Sequence, residues 1–125
     1  MAITCLTPAV WDGGFHQVIE PALGSDYAAI RESVISKQSQ CWWYGEVAVI
    51  TRVEVLPAGK QLVVVSLAGI DAGQCMEALH NAAKATECES IRVHSNRQGM
   101  LRFLNKSGFA FKEQERIYTL DLRGE

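Results

Sequence analysis

The stretch 61-QLVVVSLAGIDAGQCMEALHNAAKATECESIRVH-94 decides the fold. It opens with QLVVVSLA, a continuous apolar run of the kind found in strands covered on both faces. Asp71, with Gln74 three residues on, makes a capping-box variant at the start of a helix. Cys75, Met76, Leu79, Ala82 and Ala83 then recur at helical spacing, and the helix is expected to stop near Thr86. Ser90-Ile91-Arg92-Val93-His94 reads as a second strand. A strand–helix–strand unit takes a right-handed crossover, so its two strands are expected to be parallel, either adjacent or flanking one gap.

Upstream, the segment 40–68 reads as an antiparallel meander of three strands. QCWWYG is the first. EVAVITRVEVL is the second, with Val47, Val49, Thr51, Val53 and Val55 facing one way. The turn signal 57-PAGK-60 leads into the third. Further back, AITCL at 2–6 resembles a first strand, and Thr7-Pro8 has the form of an N-cap followed by the first helical residue. Trp11, Phe15, Val18, Ile19 and Ala22 carry the helical period. Gly13 and Gly14 weaken that helix, and Pro21 is expected to bend or end it. Ser25 is expected to cap a second helix with Tyr27, Ile30 and Val34 on one side.

Downstream, Ser95 caps a helix with Gln98 as its box partner. Met100, Leu101, Phe103 and Leu104 point inward, and Gly108 is a C-terminal stop. Phe109–Lys112 and Arg116–Leu122 close the chain as strands. The order is β-α-α-β-β-β-α-β-α-β-β. The expected fold is therefore α/β in the broad sense (α+β), a mixed, mostly antiparallel sheet with helices on both faces. With 125 residues, no repeats and no linker, one domain over 1–125 is expected.

Composition narrows the function. Apolar residues make up 48% of the chain and charged residues 21%, which supports a packed core and argues against disorder. The net charge of -2, with scattered cations, argues against a nucleic-acid surface. The cysteines (Cys5, Cys41, Cys75, Cys88) have no Cys-x-x-Cys spacing, and His16, His80 and His94 lie far apart, so no metal site is expected. Neither a signal peptide nor a membrane span is read, so reduced thiols and a cytoplasmic location are expected.

The element order and the segment CESIRVHSNRQGMLRFLNKSGF resemble the GNAT superfamily of N-acetyltransferases, with the specific match confined to roughly 61–111. The small acetyltransferase-like proteins of tailed phages share the RFL-then-Gly feature, which would imply a host-cytoplasmic or virion location. The resemblance implies acetyl-CoA in a V-shaped opening between the fourth and fifth strands. It implies that Val64, Val65 and Leu67 meet the pantetheine arm. Gly69, Ile70, Asp71, Ala72 and Gly73 would cradle the pyrophosphate at a helix N-terminus, and Asn96 would touch the arm.

Two departures stand against this. The family's Arg/Gln-x-x-Gly-x-Gly/Ala loop falls on Leu67, Ile70 and Ala72, and only the alanine fits. Asp71, as N-cap, would compete with phosphate for the same amides, and no Lys or Arg lies between Lys60 and Lys84 to offset it. Like charges at ~4 Å cost on the order of 4 kcal/mol near a protein surface. Where the family carries a proton-donating Tyr, this chain has Leu104.

A general base is expected on the central strands. Glu54 and Glu46 are the candidates, with His94 third, and the bland alternative for both glutamates is a solvated strand surface. Cys41 and Cys75 are expected to be buried thiols and not nucleophiles. The run Cys41-Trp42-Trp43-Tyr44 is expected to be core on both faces, the alternative being a pocket wall or partner patch. Three functions remain. One is an acetyl-CoA-dependent N-acyltransferase acting on a small amine or a protein. Another is a catalytically inactive protein of this fold, a virion component or a module that binds or inhibits a protein partner, with a homodimer as a further pairing. The third is a nucleotide or metabolite binder on another α/β fold.

Overall fold

The computed structural model describes residues 6–69, 75–94, 112–114 and 117–123. These form one seven-stranded sheet flanked by helices. The elements are β1 (Thr7–Ala9), α1 (Gly13–Leu23), a 3-10 turn (Gly24–Asp26), α2 (Tyr27–Ile35), β2 (Gln40–Tyr44), β3 (Val47–Leu56), β4 (Gly59–Ala68), α3 (Cys75–Ala85), β5 (Cys88–His94), β6 (Lys112–Gln114) and β7 (Ile117–Asp121). The strand order is β1-β2-β3-β4-β5-β7-β6, with β4 and β5 parallel and every other pair antiparallel. The meander over 40–68 and the parallel pairing of the 61–94 unit are thus as expected, the two strands being direct neighbours.

The sheet has a core on each face. Val47, Val49, Leu62, Val64, Ile91, Val93 and Leu120 pack with Cys75, Met76, Leu79 and Ala83 of α3. Ala48, Ile50 and Cys41 pack with Phe15, Ile19 and Leu23 of α1 on the other side. Tyr27, Ile30 and Val34 of α2 join that second core only in part. The CWWY run serves both cores: Trp42 and Tyr44 lie against the α3 side and Trp43 against the α1 side. Trp43 meets Phe15 edge-on at 5.3 Å, and Trp42 Nε1 donates to Thr51 Oγ1 at 2.9 Å.

Several local expectations are corrected. Thr7 does not cap a helix. Thr7–Ala9 pairs with Trp43, Trp42 and Cys41 as an edge strand. The cap is Asp12, whose Oδ1 accepts from Phe15 N at 2.9 Å. Ser25 is no cap either. It lies inside the 3-10 turn, and the residue before α2 is Asp26, with no side-chain capping bond. α1 continues through Pro21 to Leu23 and closes at Gly24, where φ is 56°. Pro21 can do this because it forfeits just one hydrogen bond, close to a helix end. In α3 the buried stripe is Cys75, Met76, Ala78, Leu79 and Ala83, while Ala82 is half-buried. The odd-numbered residues of β3 share a face, but the burial does not last: Val53 and Val55 are exposed.

Of the expected first strand over 2–6, Leu6 is described and lies outside β1, while residues 2–5, the Asp71–Gln74 capping box, the Ser95 helix with its Gly108 stop, and the segment 109–111 lie outside the described residues.

Candidate functional site

The candidate site lies at the end of β4, beyond its last described pair with β5. β4 and β5 pair in parallel register up to Val64 opposite Val93. β4 then continues through Ala68, still paired to β3 by Ser66–Ile50, Leu67–Val49 and Ala68–Ala48, with no β5 partner among the described residues. A bulge falls at the same point. Ile50 pairs with Ser66 and Thr51 with Val64, which leaves Val65 unmatched. Val65 packs on the α1 side, and Ser66 Oγ also reaches that side, donating to the Ala22 carbonyl at 3.4 Å. Two successive residues on one face mark a bulge in β4 just past its last pair with β5. Beyond that pair, Val65–Ala68 have no β5 partner among the described residues.

Gly69 closes the end of β4 with φ 140°. A Cβ there would lie 2.9 Å from Val47 Cα and 3.0 Å from Glu46 O. Gly69 thus has a steric reason for its identity, the close approach of β4's end to the β2–β3 turn. Ile70, Asp71, Ala72, Gly73 and Asn96 lie outside the described residues, as does Leu104.

The candidate bases occupy different settings. Glu46 is exposed in the β2–β3 turn, at the same end of the sheet as Gly69. Glu54 sits away from that end, opposite Gln61. Its carboxylate accepts from Arg52 Nε at 2.7 Å and from Arg92 Nη2 at 3.0 Å through both oxygens. Desolvation pushes the Glu54 carboxyl up, but hydrogen bonds from Arg52 and Arg92 and their charges outweigh it, and the net direction is down. A carboxylate so engaged is a poor proton acceptor.

His94 ends β5, one residue past the last β4–β5 pair. Val93 faces the α3 core, so His94 and Arg92 face the α1 side. Burial first, then the Arg92 and Arg52 charges, hold its imidazole below the usual range and favour the neutral ring, against weaker opposing pulls from Glu54 and Asp26. Its Nε2 is buried and has no hydrogen-bond partner among the described residues.

Sequence reasoning ranked His94 third and passed over Arg52, Arg92, Asp26 and Gln61. Arg52-x-Glu54 and Arg92-x-His94 each share a strand face, a spacing readable in the sequence. The Arg92–Glu54 contact spans 38 residues and is not.

Cys41 and Cys75 are buried, with burial pushing their thiols up to about 11 and about 12. Among the described residues no His, Cys, Asp and Glu side chains group to hold a metal, and no helix is long and apolar enough to cross a membrane.

This mixed, mostly antiparallel sheet with helices on both faces is a GNAT-like fold. Among solved structures, the chain is similar to an acetyltransferase of Bacillus subtilis in complex with CoA, at 14% identity and a TM-score of 0.64. The superposition covers 94% of this chain and 99% of that one. No family model matches the chain, and no curated protein matches it.

Proposed function

We propose that the protein is a small acetyl-CoA-dependent N-acyltransferase. The observation that carries this reading is that β4 runs on to Ala68 past its last pair with β5, Val64 opposite Val93, with no further β5 partner among the described residues. Backbone groups of Val65–Ala68 on that side would suit the amides of a pantetheine arm, as an added strand suits a sheet edge. Bound acetyl-CoA would supply the thioester that the acceptor amine attacks.

His94 takes the role of base, with Glu46 second. With acetyl-CoA bound, His94 Nε2 would take the proton of the attacking amine as the carbon–nitrogen bond replaced the carbon–sulfur bond. Leu104 has no proton to give the departing sulfur, so solvent would supply it. Glu54 serves a different purpose, fixing Arg52 and Arg92 beside the base.

The second reading, an inactive protein-binding domain of the same fold, draws on the same two facts that weaken catalysis: Glu54 is tied to two arginines and Leu104 replaces a donor. Titration of the purified chain with acetyl-CoA, followed by an acetyl-transfer assay against primary amines, separates the two. Binding with transfer supports the first. Absence of binding at millimolar ligand leaves the second.

A further inference from the structure

On the face of the sheet opposite α3, polar side chains line β3, β4 and β5 beyond the apolar contacts of α1. Those contacts involve Ala48, Ile50, Val65 and Ala68 and stop short of Arg52 and Arg92. Leu62 and Ile91 face α3, so Gln61, Ser90, Arg92 and His94 share the other side. Gln61 Nε2 donates to Ser90 Oγ at 2.8 Å. Among the described residues, three buried polar atoms in this row have no hydrogen-bond partner: Gln61 Oε1, Arg92 Nε and His94 Nε2. Gln61 is only 6% exposed. Buried polar groups are rarely left unpaired without a ligand, water or functional reason.

The charges are also unbalanced. Arg52 and Arg92 lie level across β4, at Val63, and share the single carboxylate of Glu54. Their side chains are 32% and 23% exposed, and that of Glu54 is 28% exposed. Two guanidiniums against one carboxylate leave one positive charge, with the free Nε of Arg92 beside it. Guanidinium groups bind carboxylate and phosphate through paired N–H donors.

Resting on the acyltransferase reading, we infer that the acceptor is a small amine carrying an anionic group, its amine at His94 and its anion at Arg92 and Arg52. Two residues along a strand separate Arg92 from His94 by about 7 Å, which suits an amino acid whose charges are a few atoms apart. Arg92 and Arg52 act as specificity residues, and Glu54 limits them to one anion.

The test uses the full chain labelled with nitrogen-15, following the arginine Nε–H resonances during titration with 4-aminobutanoate and, separately, with butylamine. The expected result is a saturable shift at Arg92 Nε with 4-aminobutanoate and none with butylamine. Arg92→Lys should raise the 4-aminobutanoate Kd about tenfold or more and leave CoA affinity unchanged. Equal shifts from both amines, or no shift at Arg92 from either, would overturn the inference. So would an Arg92→Lys variant that binds 4-aminobutanoate as tightly as the parent chain. A parallel CoA titration reads the backbone amides of Val65–Ala68. Silence there would sink the acyltransferase reading, while the amino-acid titration still decides whether the arginines select an anionic amine.

Discussion

Arg92 acts on two neighbours in opposite senses. Against desolvation, Arg52 and Arg92 together pull the Glu54 carboxyl down, whereas at His94 burial lowers the imidazole first and Arg92 adds to it, so two candidate bases on one sheet face come to differ. His94 should therefore work as a base at neutral pH and lose that capacity as pH falls through its depressed pKa, below the ordinary imidazole range. The acid limb of kcat/KM against pH is the check. His94→Gln should lower kcat by about 10²–10⁴-fold, and Glu54→Gln should lower it far less. Stability follows the same sign: the unfolded chain protonates His94 more readily, so this contribution is present above the ordinary imidazole pKa and is lost as pH falls. The thiols behave oppositely. Burial holds Cys41 and Cys75 protonated, up to about 11 and about 12. Mass-mapped alkylation of the native chain at pH 8 should leave both unmodified, and labelling of either at the rate of a free thiol would contradict their burial. Their stabilising contribution is present below the ordinary thiol pKa and fades as pH rises beyond it.

At the scale of the element, the course of β4 beyond its last pair with β5 depends on the bulge at Val65 and on Gly69. Gly69→Ala would put a Cβ against the Val47 and Glu46 backbone at φ 140°, and neither neighbour is a flexible side-chain end. The expected cost is about 1–3 kcal/mol in urea unfolding, with weakened CoA binding. Asp12→Ala removes the α1 cap and should cost about 1 kcal/mol. Thr7→Ala, by contrast, removes no cap.

That contrast shows which elements were legible. Strong periodicity over 40–68 and 75–85 marked the meander and α3, because those segments bury a regular set of apolar side chains. Thr7-Pro8 had the local chemistry of a helix start, yet pairing with Trp43 and Trp42 drew it into an edge strand. The bulge was hidden for a similar reason: QLVVVSLA is apolar throughout, so nothing in it marks Val65 as the residue without a partner.

For the whole molecule, the sheet serves as a divider. α3 covers one face over β4 and β5 with apolar contacts, leaving Val53 and Val55 of β3 exposed, whereas on the other face α1 and α2 cover β2, the start of β3 and the end of β4, and polar residues occupy β5. The end of β4 beyond its last pair with β5 lies beside that polar region, next to His94. This layout was only half legible. The crossover rule made β4 and β5 parallel, but the charge row needs residues from three strands brought level, and that alignment appears only when the sheet closes. It also explains why Glu54, read as a base from its strand position, becomes the partner of two arginines.

The most direct measurement of the account is a titration of the nitrogen-15 labelled chain with acetyl-CoA, read at the amides of Val65–Ala68 and at the His94 ring. The account predicts saturable shifts along Val65–Ala68 and a perturbed His94, with α3-face residues such as Leu62 and Ile91 unmoved. Unchanged spectra at millimolar acetyl-CoA would contradict it and leave the end of β4 as a feature of the fold without a cofactor.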